Sequence, residues 1–151
     1  MNFKINRELV DIMQIREKII RQWFEMWLRQ EDTGIENIFT ENAVYIESWS
    51  PQYIGRNKIK HWFDEWNTRG KVIVWDIKQF FHKDNQTVVE WFFKNEMNNG
   101  KEECFDGITL IEWTDDNKII RLKEFGCNIE RYDPYSDGLS PKFKSNETAW
   151  F

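Results

Sequence analysis

The chain has 151 residues, with 21 Lys and Arg against 26 Asp and Glu and a formal net charge of −5. That length suits one ordinary domain, and a mildly acidic chain without a basic run makes nucleic acid a poor partner. The stretch MNFKINRELVDIM mixes Lys4, Arg7, Glu8 and Asp11 with apolar residues, so it lacks the hydrophobic core of a signal peptide, and no later segment approaches a membrane span. A cytoplasmic protein is expected, with Cys104 and Cys127 as reduced thiols acting as small apolar residues of strand-like runs.

From Asn6, a plausible N-cap, the residues Leu9, Ile12, Met13, Ile19, Ile20, Trp23, Phe24, Trp27 and Leu28 recur at threes and fours and predict a long amphipathic helix. Trp23 and Trp27 fall four apart, on one face. A short helix or turn follows at TGIENIF, and then a strand at AVYIESW, residues 43–49. Ser50-Pro51 breaks that strand, and Gly55 turns the chain into a second helix, where Ile59, Trp62, Phe63 and Trp66 share an apolar face.

After Gly70 the pattern becomes strand-like: KVIVWDIKQFF, QTVVEWFFKN, KEECFDGITLIEW and KIIRLKEFGCNIE, separated by the turn-forming HKDN, EMNNG and TDDN. Four runs joined by short turns predict an antiparallel meander. Helices first and a sheet afterwards make an α+β domain over residues 1–135, with helices covering one face of a curved sheet. Residues 136–151 show no period and are expected to form an irregular extension.

YIESWSPQYIGRNKIKHWFDEW followed by VVEWFFKNEMNNGKEECFDGITLIEWTDDNKIIRLKEFGCNIERYDPY resembles the SnoaL-like branch of the nuclear transport factor 2-like superfamily. The resemblance runs from the first helix to Tyr135 and rests on the Y-x-G-x-x-x-I entry to the inserted helix, EWFF, FDGIT, and the D-N-K-I and L-K-E-F hairpin. It implies a cone-shaped antiparallel sheet closed by the N-terminal helices around a pocket, often dimeric through the outer sheet face. Isomerases, polyketide cyclases, dehydratases and epoxide hydrolases share that fold with domains that have no chemistry, so the function must come from the site.

Glu47, Asp76, Glu90, Asp106 and Glu124 each interrupt an apolar run. Carboxyls gathered on one face cannot all ionise comfortably, so one keeps its proton as a donor while another acts as base. Glu47 is the candidate base, with Asp106 or Glu90 as the protonated donor. The competing reading gives each acid an ion-pair partner or a wet sheet edge. Tyr45, Glu47 and Trp49 alternate onto one strand face, which would set an aromatic wall on either side of Glu47. With Trp23, Trp27, Tyr53, Trp62, Trp66 and Glu124 they make up the candidate ligand-binding set. Within the run at 103–113, Asp106 shares its parity with Ile108 and Leu110, and period alone does not say which face is inward.

His61 belongs to the polar side of its helix and His82 to a turn, and neither has ligand-spaced partners for a metal. Neither a phosphate loop nor a nucleophile elbow is present, so no cofactor is implied. Two functions remain: a small-molecule-binding domain for a hydrophobic ligand, acting as a cofactor-free isomerase, cyclase or dehydratase, or a non-catalytic binding or dimerisation module. A pocket of roughly 300 Å³ lined by Trp and at least two acids favours the first. An interior filled by the Trp rings would sink the first.

Overall fold

The computed structural model describes residues 2–144. Helix α1 (Asn2–Arg29) starts before the expected cap at Asn6, and is followed by a single-turn α2 (Ile35–Ile38). Strand β1 (Phe39–Ile46), a short β2 (Gln52–Ile54) and helix α3 (Arg56–Arg69) lead into β3 (Gly70–Lys83), β4 (Gln86–Met97), β5 (Glu102–Trp113) and β6 (Ile119–Asn128). The part of the expected extension that reaches residue 144 carries turns but no helix or strand; the remainder lies outside the described residues. Among the described residues no helix is long and apolar enough to cross a membrane.

The six strands form one curved sheet in the order β2-β1-β6-β5-β4-β3. The last four make the expected antiparallel meander, whereas β1 joins it by parallel pairing with β6, Tyr45 opposite Leu122 and Ile46 opposite Lys123. β1 ends at Ile46, three residues earlier than the alternation predicts, because the chain turns at once: Glu47 N–H donates to the Pro51 carbonyl, and Ser50 sits at φ 111°. The short β2 then pairs back on β1, with Tyr53 opposite Tyr45.

Strand parity settles which face is inward. Thr87, Val89, Trp91 and Asn95 of β4 and Gly107, Thr109, Ile111 and Trp113 of β5 are buried, while Glu90, Asp106 and Ile108 belong to the opposite, outer face. Gly107 is required here because the Trp91 ring lies across it: a Cβ at 107 would come within 2.3 Å of that ring and 2.7 Å of the Phe125 carbonyl oxygen. The Trp91 and Trp113 indoles reach polar partners inside the sheet, donating to the Thr109 and Thr87 hydroxyls at 2.8 and 2.9 Å.

The concave side is filled by rings. Phe24 stacks on Trp75 with centroids 3.9 Å apart, and Trp23 and Trp27 of α1 pack edge-on to each other and against Phe63 of α3. Trp23, Trp27, Trp75, Trp91 and Trp113 are all buried, each burial contributing roughly 3 kcal/mol of hydrophobic stabilisation. The indole N–H groups of Trp27 and Trp75 are buried here with no hydrogen-bond partner among the described residues.

At the opposite end from β2, Arg16 of α1 ties the sheet turns to the helix. Its side chain donates to Asn117 Oδ1 at 3.0 Å and to the Asp84 carbonyl at 2.9 Å, and its guanidinium lies 5.6 Å from the Trp113 ring centre. Asp84 and Asn117, both at positive φ, are the turn residues of the β3–β4 and β5–β6 hairpins. One side chain therefore holds both turns against α1.

Candidate functional site

The parallel register between β1 and β6 creates the site. Tyr45 faces Leu122, so Glu124, two residues on and on the same inner face, is its diagonal neighbour; one further step places Glu47 beside Glu124. Tyr45 Oη donates to Glu124 Oε1. The Glu124 side chain is half-buried, and its other oxygen, Oε2, has no hydrogen bond among the described residues. Burial raises the Glu124 carboxyl to about 8; the Tyr45 hydrogen bond pulls it down and the nearby Glu47 charge adds to the rise. At neutral pH Glu124 is mostly protonated.

Glu47 lies just beyond the end of β1. Its Oε1 accepts from Tyr53 Oη at 2.5 Å and its Oε2 from Trp49 Nε1 at 3.0 Å. Burial raises this carboxyl too, opposed by those two hydrogen bonds and by the positive field of Arg69. The Tyr45 hydroxyl, enclosed by protein and facing Glu124, is pushed far up, and Tyr53 is raised as well, first by burial and then by its bond to Glu47. Both tyrosines therefore act as neutral donors.

Aromatic rings surround this pair unevenly. Tyr53 stacks on Trp62 with centroids 4.5 Å apart, and Tyr45 packs against both. Trp66 sits behind, edge-on to Trp27. Outside Tyr53 and Trp62 a groove of about 480 Å³ runs between β2 and α3, lined by Gln52, Ile54, Lys58, His61, Glu65 and Arg69 as well as the two rings.

The structure thus brings together Glu47, Glu124, Tyr45, Tyr53 and Trp62 from the expected set. Trp23 and Trp27 are core residues rather than pocket walls. Trp49 is 60% exposed because β1 ends before it, so it caps Glu47 from outside through its indole N–H instead of forming a wall. Asp106 and Glu90 do not join Glu47. The inward parity of β5 belongs to Gly107 and Thr109, which leaves Asp106 on the outer face, paired with Arg131 at 3.1 Å, and Glu90 there too, accepting from Gln79 at 2.5 Å.

A model of the SnoaL-like domain matches residues 20–122, about two thirds of the chain. This protein belongs to the SnoaL-like family. Solved structures agree with the nuclear transport factor 2-like cone that accompanies it. The SnoaL-like chain is similar to a provisionally named isomerase from Bacillus subtilis, at 16% identity and a TM-score of 0.68 over 77% of this chain and 88% of that one. It is also similar to a protein of ketosteroid isomerase-like fold from Catenulispora acidiphila crystallised with trimethylamine, at 15% identity and a TM-score of 0.60 over 71% and 83% of the two chains. A third likeness is to TerC co-crystallised with polyporic acid, at 14% identity and a TM-score of 0.58 over 74% and 91%. At these identities the likeness concerns the fold. No curated protein matches the sequence.

Two residues of this SnoaL-like domain carry more than sequence reasoning assigned to them. Arg69, held by Glu65 at 2.6 Å, also projects its charge onto Glu47 and Tyr53; its position in the last turn of α3, four residues after Glu65, was the legible signal. His82 is no loose turn residue: its ring bridges Thr87 Oγ1 at 2.9 Å and Glu17 at 3.0 Å, fastening α1 to β3 and β4.

Proposed function

We propose that this SnoaL-like domain binds a small, largely hydrophobic molecule at the mouth of the cone, bounded by Glu47, Glu124, Tyr53 and Trp62, and subjects it to cofactor-free acid–base chemistry of the isomerase, cyclase or dehydratase kind. The observation that carries this reading is the adjacency of Glu47 and Glu124 where β1 meets β6, both carboxyls raised by burial and Glu124 held largely protonated at neutral pH. Glu47 serves as the base that removes an acidic C–H proton, and Glu124 donates to the oxygen on which charge develops. Glu124 replaces Asp106 and Glu90 as the donor, since it shares a face with Glu47 and they do not. Tyr45 and Tyr53 hold the two carboxyls in place.

The ring-filled interior counts against a ligand inside the cone and for the non-catalytic module, so the ligand proposed here is confined to the mouth. The two readings part in one experiment. The protein is incubated with a metabolite extract, retained compounds are identified by mass spectrometry, and each is tested in D2O for C–H exchange. Wild type is expected to retain a compound and exchange its proton, with exchange falling about a hundredfold or more in Glu47→Gln; retention of nothing, or exchange unchanged by that substitution, would favour the non-catalytic module.

Under either reading, the chain is a homodimer through the outer sheet face, as Phe81, Ile108 and Phe125 are exposed there beside the half-buried Val88, Phe92 and Leu110. Cys104 and Cys127, without a disulfide and exposed on their strands, fit a reducing compartment such as the cytoplasm.

A further inference from the structure

The groove beside the carboxyl pair has a polarity of its own. Lys58, His61, Trp62, Glu65 and Arg69 recur at threes and fours along α3 and form a single stripe facing β2. The eleven steps from Lys58 to Arg69 rise roughly 16 Å along the helix. Tyr53 of the groove wall donates to Glu47 at 2.5 Å, and the charge of Arg69, at one end of the stripe, bears on both. In the middle lie the stacked Tyr53 and Trp62 rings. At the other end stand Lys58 and His61.

Charge along this stripe is unbalanced. Among the described residues Glu65 is the one acid lining the groove, and both its oxygens are engaged by Arg69, at 2.6 and 2.9 Å. Lys58 makes no ion pair among the described residues, in contrast to the neighbouring Lys60, which sits between Asp32 and Asp64. The distal end of the groove is therefore cationic on an acidic protein, and its aromatic floor includes Tyr53, which hydrogen-bonds Glu47. A neutral ligand would leave that charge unused, and an organic cation would meet it unfavourably.

We infer that the ligand is a planar organic anion, its flat body lying along Trp62 and Tyr53 and its anionic group held by Lys58 and His61, with its reacting end directed to Glu47. This inference rests on the binding reading above and names the class of molecule the same site takes. The anionic group is placed at the Lys58 end of the stripe and away from the Arg69 end, whose charge bears on Glu47, so attraction at one end does not become repulsion at the other.

Paired probes test it: 2-naphthoate and its uncharged analogue 2-naphthamide, titrated against the full chain by amide chemical-shift mapping. Naphthoate is expected to shift residues 52–54 and 58–69 and to bind about tenfold more tightly than naphthamide, a difference within reach of one partly desolvated ion pair. Lys58→Met should weaken naphthoate about fivefold and leave naphthamide unchanged, whereas Glu65→Gln, which frees Arg69, should tighten naphthoate. Both positions are exposed, so the variants keep the fold. Equal binding of the two probes, binding of neither, shifts elsewhere, or insensitivity to Lys58→Met would overturn the inference. Naphthoate binding as described together with metabolite exchange that ignores Glu47→Gln would instead strike the acid–base reading and leave the anion site standing.

Discussion

Glu124 and Tyr45 share one proton-rich contact inside an aromatic shell, and its consequences can be signed. Because Glu124 titrates near 8 in the folded chain against an ordinary value of 4.5, the folded state holds its proton more tightly than the unfolded state does. The resulting stabilisation is full below about pH 4.5 and is lost as pH rises through 8. Glu124→Gln removes that dependence, so the stability advantage of wild type over the variant should fall, on the order of a few kcal/mol, between pH 4.5 and 9 in urea titrations. Tyr45→Phe takes the donor from Glu124 Oε1, costing about 1–3 kcal/mol. It should also move the Glu124 titration upward, as read by carboxyl carbon NMR, since the Tyr45 bond is what holds that value down. A downward movement would mean that the tyrosine does not stabilise the ionised form.

Among the elements, β5 shows why the site was only partly legible. Its alternation predicts the strand and its two residue sets correctly, but both sets are apolar enough to be buried, so Asp106 could belong to either face. What decides is a contact from β4: the Trp91 ring needs the space that Gly107 leaves, and a glycine gives no hydrophobic signal. Gly107→Ala should accordingly cost about 3 kcal/mol in a urea titration, because the new methyl meets a backbone oxygen as well as a ring. The meander strands were legible because each hairpin is local and its turn residues are contiguous in sequence. The Arg16 tie was not, since it joins one helix to two turns 68 and 101 residues away. Arg16→Met should destabilise the chain by about 2–3 kcal/mol through the loss of two charge-assisted hydrogen bonds, and hydrogen exchange should quicken at both hairpin turns.

For the molecule as a whole, the outer sheet face is the feature that reaches beyond one chain. Ile108 and Phe125, directly opposite each other on β5 and β6, form an exposed apolar pair, with Lys123 lying 4.9 Å from the Phe125 ring. Ile108→Glu should convert a dimer to a monomer in sedimentation velocity while circular dichroism stays unchanged; a wild-type monomer would remove the dimer from the proposal. Glu124 was legible as an interruption of an apolar run, yet its partnership with Tyr45 was not, because the pairing that joins them links the first strand to the last. That pairing also sets the order of assembly. The meander closes through local contacts, while β1 must find β6 across some eighty residues, an encounter of high contact order and slow by its loop entropy. The Tyr45–Glu124 contact therefore needs β1 docked on β6, and the proton uptake of Glu124 during refolding would act as a clock for that step.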